Sequence, residues 1–222
     1  MKRSEINRLI REARAFCEKN AFYLPEGADW SPEDWKTKGR DCLEIKRNGL
    51  GWDITDFGSG DFHKTGLTLV TLRNGNPAYD NKCYCEKIMV VREQQVTPIH
   101  FHWKKSEDII FRGGDGSFCM KLWKADRDEK LSDEDVLIKV DGVVTKVKAG
   151  EVFRLKPGQS VTYEPYLYHT FWAEGGTCLV GEVSMVNDDA ADNRFYEPIG
   201  RFPEIEEDEP AEHLLCTEYP EL

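Results

Sequence analysis

The residues best equipped for chemistry gather in His100-Phe101-His102-Trp103-Lys104-Lys105-Ser106-Glu107, with His169 sixty-two positions further on. The chain has only five histidines in 222 residues, and three belong to this set. His100 and His102 are two apart, so on a strand they present their rings to one face. A tight turn at Lys104-Lys105 would bring Glu107 back opposite His102, and cross-strand partners share a face. Two imidazoles and a carboxylate would then converge. Three nitrogens and one oxygen suit a first-row divalent ion such as Mn, Fe, Ni, Co or Zn.

A second register can be read around Gly175-Gly176. If these two glycines form a hairpin loop, Glu174 pairs with Thr177, and His169 falls opposite Glu182 on the same face. Glu182 interrupts the apolar run Cys178-Leu179-Val180-Gly181-Glu182-Val183. A charge placed there is costly unless it is paired or used.

The elements that must position these groups are mostly β. Eleven short strands are expected: Leu67–Leu72, Lys87–Gln94, Val96–His102, Glu107–Arg112, Ser117–Lys124, Val136–Val140, Val143–Lys148, Val152–Leu155, Ser160–Tyr163, His169–Ala173 and Cys178–Ser184. Turn signals such as Asn74-Gly75, Asp141-Gly142 and Pro157-Gly158 divide them. With no helical crossovers, the pattern implies an antiparallel sandwich or small barrel. Helices come first. Ile6, Leu9, Ile10, Ala13, Phe16 and Cys17 form one stripe in a helix from Ser4, its expected cap, to about Asn20. Ser31-Pro32-Glu33-Asp34 reads as a second helix start. β structure is expected from about Gly66. Residues 1–60 are taken as a helical segment packed on a barrel of 61–203, with 204–222 as an acidic tail docked by Leu214-Leu215.

Composition excludes several classes. The net charge of −11 is concentrated in residues 204–222, which hold eight acids and no Lys or Arg, leaving the body at −3. That leaves no footprint for nucleic acid or an anionic membrane. No apolar run approaches the ~18 residues of a membrane span. The N-terminus leads into an amphipathic segment instead of a secretory signal, so a cytoplasmic location is expected. Seven scattered cysteines read as reduced thiols.

His100-x-His102-x4-Glu107-x5-Gly113 resembles the first cupin motif, and Pro157-Gly158 followed by His169 resembles a stretched second one. The length, the N-terminal helices, the segment Thr97-Pro-Ile-His-Phe-His-Trp-Lys-Lys-Ser-Glu-Asp-Ile-Ile and the segment Phe195-Tyr-Glu-Pro-Ile-Gly-Arg-Phe-Pro-Glu resemble the bacterial D-lyxose isomerases across essentially the whole chain. The resemblance implies a double-stranded β-helix barrel and one divalent ion, Mn(II) foremost, bound by His100, His102, Glu107 and His169. It also implies a homodimer and the interconversion of D-lyxose and D-xylulose, with D-mannose and D-fructose as poorer substrates.

Aldose–ketose isomerisation moves a proton from C2 to C1 and shuffles protons on O1 and O2, so it needs a Lewis acid and a base near the carbon. Glu182 is the expected base. Lys105 is the expected acid or charge partner, with Lys104 as its competitor. Asp188, Asp189 and Arg201 are expected to bind substrate hydroxyls at the barrel rim. Phe101 is expected to point away from the metal, and His63 and His213 to be structural. The same ligand set also suits an oxygenase or decarboxylase, which oxygen uptake would reveal. A sugar-binding cupin without turnover is the third reading.

Overall fold

Ile6, Leu9, Ile10, Ala13 and Cys17 recur at spacings of three and four, and that stripe is the buried face of α1 (Arg3–Lys19). The structure is a computed structural model and describes residues 1–221. Ser4 is not the cap of α1. The helix begins one residue earlier, after Lys2, and Ser4 sits inside its first turn, bonding Asp208 through its hydroxyl at 2.6 Å. The acidic tail takes the place of a cap: Asp208 accepts from both the hydroxyl and the N–H of Ser4. α2 (Pro32–Thr37) carries the expected start: Ser31 and Asp34 cap each other's backbone reciprocally. α3 (Leu43–Arg47) follows. Among the described residues, no helix is long and apolar enough to cross a membrane.

The strands are β1 (Gly51–Thr55), β2 (Leu67–Arg73), β3 (Tyr84–Val91), β4 (Thr97–Phe101), β5 (Glu107–Gly114), β6 (Ser117–Lys124), β7 (Val136–Val140), β8 (Val143–Val147), β9 (Phe153–Leu155), β10 (Ser160–Tyr163), β11 (Leu167–Glu174), β12 (Cys178–Met185) and β13 (Arg194–Phe195). β structure therefore begins earlier than the sequence suggests. β1 is buried on both faces, so its Gly-Trp-Asp-Ile-Thr lacks the alternation that marks a half-exposed strand. Asp141-Gly142 makes the two-residue turn expected of it, with both residues at positive φ and Val140 paired with Val143.

Two antiparallel sheets result, ordered β1-β2-β3-β12-β5-β10-β7-β8 and β13-β4-β11-β6-β9. Inward residues of both, among them Met89, Ile109, Val161, Phe118, Met120 and Phe171, form the main core. This is the expected mainly β, antiparallel two-sheet barrel preceded by helices. A second core lies under α1, where its stripe meets Trp52, Ile54, Val70, Ile88, Leu179 and Leu215. The tail is tied there by Cys216 N–H to Trp52 O at 2.7 Å and by Arg3, buried against Glu207 and Glu218.

Both hairpin registers inferred from sequence are overturned. β4 lies in one sheet and β5 in the other, so His102 and Glu107 are not cross-strand partners. Residues 102–106 instead cross the barrel edge, with Asp192 accepting both Lys104 N–H and Lys105 N–H at 2.9 Å. β11 and β12 also belong to different sheets. His169 pairs with His100 and Leu122, while Glu182 pairs with Lys87 and Ile109. Gly175-Gly176 is a corner between sheets, packed so tightly on Asp115 and Gly116 that a side chain on Gly176 would collide with the Asp115 backbone. His169 and Glu182 still face each other's side of the barrel, because both point inward from opposite walls.

One irregularity shapes the interior. β4 advances three residues, from Thr97 to His100, while β11 advances two, from Phe171 to His169. This bulge breaks the alternation, so that Thr97 and His100 line the same cavity.

Candidate metal centre and active site

β4 and its continuation supply His100 and His102, β11 supplies His169, and β5 opens with Glu107. The ligand atoms of the three histidines lie within 4.8 Å of one another. Each ring is anchored by Nδ1 to a backbone carbonyl: His100 to Pro98 at 2.8 Å, His102 to Asp192 at 2.6 Å and His169 to Leu167 at 3.0 Å. A carbonyl only accepts, so each Nδ1 carries the hydrogen. In a neutral ring the other nitrogen, Nε2, is then a bare lone pair.

Burial, reinforced by His169 and His102, holds His100 well below the ordinary histidine range, and burial lowers His169 to about 4 although Glu107 opposes it. Glu107 Oε1 nevertheless lies 3.3 Å from His169 Nε2 and 3.5 Å from His102 Nε2. Acceptors crowded so closely call for a cation between them. The donor set thus fits a divalent ion, with His100, His102, His169 and Glu107 as the residues that could hold it. Tyr163 stacks on His169 with ring centres 4.4 Å apart and limits its rotation.

The other oxygen of Glu107 is occupied. Lys105 Nζ lies 2.7 Å from Glu107 Oε2 and 2.9 Å from Glu182 Oε1, and all three side chains are buried. Burial disfavours the Lys105 ammonium, but Glu107 and Glu182 hold it above its usual range. Burial likewise opposes ionisation of Glu107, but Lys105 and His102 hold its carboxyl well below the usual range. Lys105, not Lys104, faces the site. Lys104 stays at the surface. On the far side of Glu182, Lys87 Nζ approaches Oε1 at 3.2 Å and donates to Asn187 Oδ1 at 2.7 Å.

Arg201 and Asp189 line the same cavity as the histidines and Glu182. They are 3.1 Å apart, and Arg201 also pairs with buried Asp53 of β1. Burial opposes the charge on Asp189, but Lys87, Arg201 and Lys105 lower its carboxyl far below the usual range. Asp188 is not brought to this cavity. Its Oδ1 accepts from Ala190 and Ala191 N–H groups and so shapes the loop. Phe101 is fully buried among Trp103, Tyr166 and Tyr168, facing away from the histidine cluster as expected. His63 meets Glu5 at the surface, and His213 bonds Trp30 O.

Lys87, Asp53 and Asp192 were missed from sequence. Lys87 heads the apolar run Ile88–Val91, so the cost argument that marked Glu182 applied equally to it. Asp53 carried the same signal between Trp52 and Ile54. Asp192 had none, because its role depends on contacts about ninety residues away.

A family profile described as D-lyxose isomerase matches residues 1–219. The chain is 48% identical over 227 residues to a D-lyxose/D-mannose isomerase of Escherichia coli O157:H7, covering 99% of this chain and 98% of that one. It is 47% identical to a D-lyxose/D-mannose isomerase of Serratia proteamaculans, with the same coverages. Among solved structures, the L-ribose isomerase of Cellulomonas parahominis with L-ribose superposes with a TM-score of 0.61 at 15% identity, covering 93% of this chain and 98% of that one. The Geodermatophilus obscurus L-ribose isomerase also gives 0.61, at 14% identity and the same coverages, and these likenesses speak for the fold. A match along nearly the whole length, at close to half identity, places this chain in the D-lyxose isomerase family.

Proposed function

We propose that this protein is a metal-dependent aldose–ketose isomerase acting on D-lyxose and D-xylulose, and more slowly on D-mannose and D-fructose. The observation that carries the reading is the shared cavity. Glu182 faces the three-histidine cluster from the opposite wall, and Lys105 joins it to Glu107. The two relatives of near-half identity bear the names of both aldoses, which supports the substrate pair.

His100, His102, His169 and Glu107 would hold the ion, and the mixed imidazole and carboxylate donors are compatible with Mn(II). When bound, such an ion supplies a Lewis acid for adjacent sugar oxygens. The remaining work belongs to the chain. Glu182 takes the C2 proton of the aldose and returns it to C1 of the ketose. Lys105, within hydrogen-bond reach of Glu182, supplies the proton gained by O1, is reprotonated by the proton that O2 gives up, and neutralises charge developing on the oxygens between the two transfers. Arg201 and Asp189 bind hydroxyls of the open chain. Asp53 holds the guanidinium in place, and Lys87 orients Glu182.

The decisive experiment is a screen of aldopentoses and aldohexoses with Mn(II)-loaded protein, reading ketose formation. D-xylulose from D-lyxose, abolished by chelator and restored by Mn(II), is the expected result. Oxygen consumption without ketose would favour a cupin oxygenase instead.

A further inference from the structure

We propose that Thr97 contacts the sugar directly: its hydroxyl hydrogen-bonds a substrate hydroxyl beyond C2 and contributes to discrimination among aldoses. The proposal rests on the isomerase reading above.

Thr97 is only 3% exposed, lines the cavity that holds the histidine cluster, and has no hydrogen-bond partner for Oγ1 among the described residues. A buried hydroxyl without a partner carries a desolvation cost that native proteins rarely leave uncompensated. Other side chains share the condition: Thr68, Arg92 and Gln95 each have a buried polar atom without a partner among the described residues. None of those three lines this cavity. Thr97 does so because of the bulge in β4, which turns its side chain inward beside His100. Bulges commonly re-aim a side chain next to an active site.

Position fits the role. The Thr97–Phe171 pair lies two residues along β11 from the His100–His169 pair. At the usual strand rise this is about 7 Å. A sugar whose first two oxygens sit at the histidine cluster would therefore extend its later carbons towards Thr97. Phe171 and Leu67 also line this cavity. A hydroxyl can donate or accept, so Thr97 Oγ1 can bond a sugar hydroxyl placed within its reach in either sense. A site built to bond a hydroxyl discriminates against analogues that lack it.

The test uses the Mn(II)-loaded full-length protein with Thr97→Val and Thr97→Ser. Thr97→Val should leave thermal stability unchanged or raised, because it deletes a buried hydroxyl that bonds nothing. Its KM for D-lyxose should rise about 3- to 10-fold, as expected for one hydrogen bond, with kcat altered less. Thr97→Ser should restore the wild-type KM. Wild-type protein should lose a similar factor on one of the 3-, 4- or 5-deoxy analogues, to which Thr97→Val is indifferent. Calorimetry with D-arabinitol, the unreactive reduced form of D-lyxose, should show the same loss of affinity without turnover.

Normal ketose formation with unchanged KM and D-arabinitol affinity in Thr97→Val would overturn the Thr97 assignment and leave the isomerase reading intact. A stability loss in Thr97→Val that Thr97→Ser does not repair would make the residue structural and overturn it equally. Thr97-dependent D-arabinitol binding by a wild-type protein that forms no ketose would overturn the isomerase reading alone.

Discussion

Lys105 Nζ lies 2.9 Å from Glu182 Oε1, a contact between the crossing that follows β4 and a strand of the opposite sheet. Because Lys105 also holds Glu107, one ammonium joins the carboxylate beside the histidines to the carboxylate proposed as base. The pairing separates their roles: Glu107 turns Oε1 to the imidazoles, while Glu182 Oε1 pairs with Lys87 and Lys105.

Glu182→Gln should retain bound metal and lose turnover. The amide keeps the shape and can still bond its neighbours, but cannot take a proton from carbon. A fall in kcat of about 10²- to 10⁴-fold is the usual scale for a lost acid–base group. Elemental analysis of the purified variant, beside its kinetics, checks this. Metal loss would make Glu182 a ligand.

Lys105→Met should cost stability as well as rate. It leaves two buried carboxylates without their nearest ammonium, and removing one partner of a buried ion pair typically costs about 3–5 kcal/mol. Combining Lys105→Met with Glu182→Gln should cost less than the two separate losses together, because one stranded charge has been removed. Denaturant unfolding of the four proteins measures this, and strict additivity would argue against the contact.

The faces of the barrel strands were legible in sequence, but their neighbours were not. Period-two spacing put His100 and His102 on one face and an acid in an apolar strand singled out Glu182, and all three line one cavity. Pairing failed because a glycine turn suggests the local hairpin, whereas in this barrel β11 and β12 turn a corner into opposite sheets. The convergence survives the error because inward faces of opposed sheets share one interior. Thr97 and Asp192 were invisible for different reasons. A bulge puts Thr97 on the same side as His100, three residues away, which strand alternation does not foresee, and Asp192 acts through a long-range contact.

Asp192→Ala should weaken metal binding without touching any ligand. Its carboxylate secures the Lys104 and Lys105 N–H groups, and its carbonyl accepts from His102 Nδ1. Losing the carboxylate frees the loop that carries that carbonyl. Changes to groups that orient metal ligands typically cost about 10- to 100-fold in affinity. Competition against a chelator with known Mn(II) affinity reads this out. Wild-type affinity in the variant would show that the carbonyl is held independently.

Metal-free protein should lose stability on acidification from about pH 6.5 to 4. Burial depresses His169 from its ordinary 6.5 to about 4 in the folded state, and His100 moves in the same direction. Between these values the unfolded chain binds more protons than the folded one, so stability rises with pH and falls as pH is lowered. Above pH 6.5 the ring is neutral in both states and contributes no slope. Below about 4 it is protonated in both, and the full cost has been incurred. For His169 that cost is about 3 kcal/mol. Carboxylates held low, Glu107 and Asp189, add their losses only at more acidic pH. Denaturant unfolding of chelator-treated protein across this range should show the decline, and His169→Gln should flatten it. An identical slope in the variant would mean that His169 titrates normally and that its burial does not hold the ring neutral.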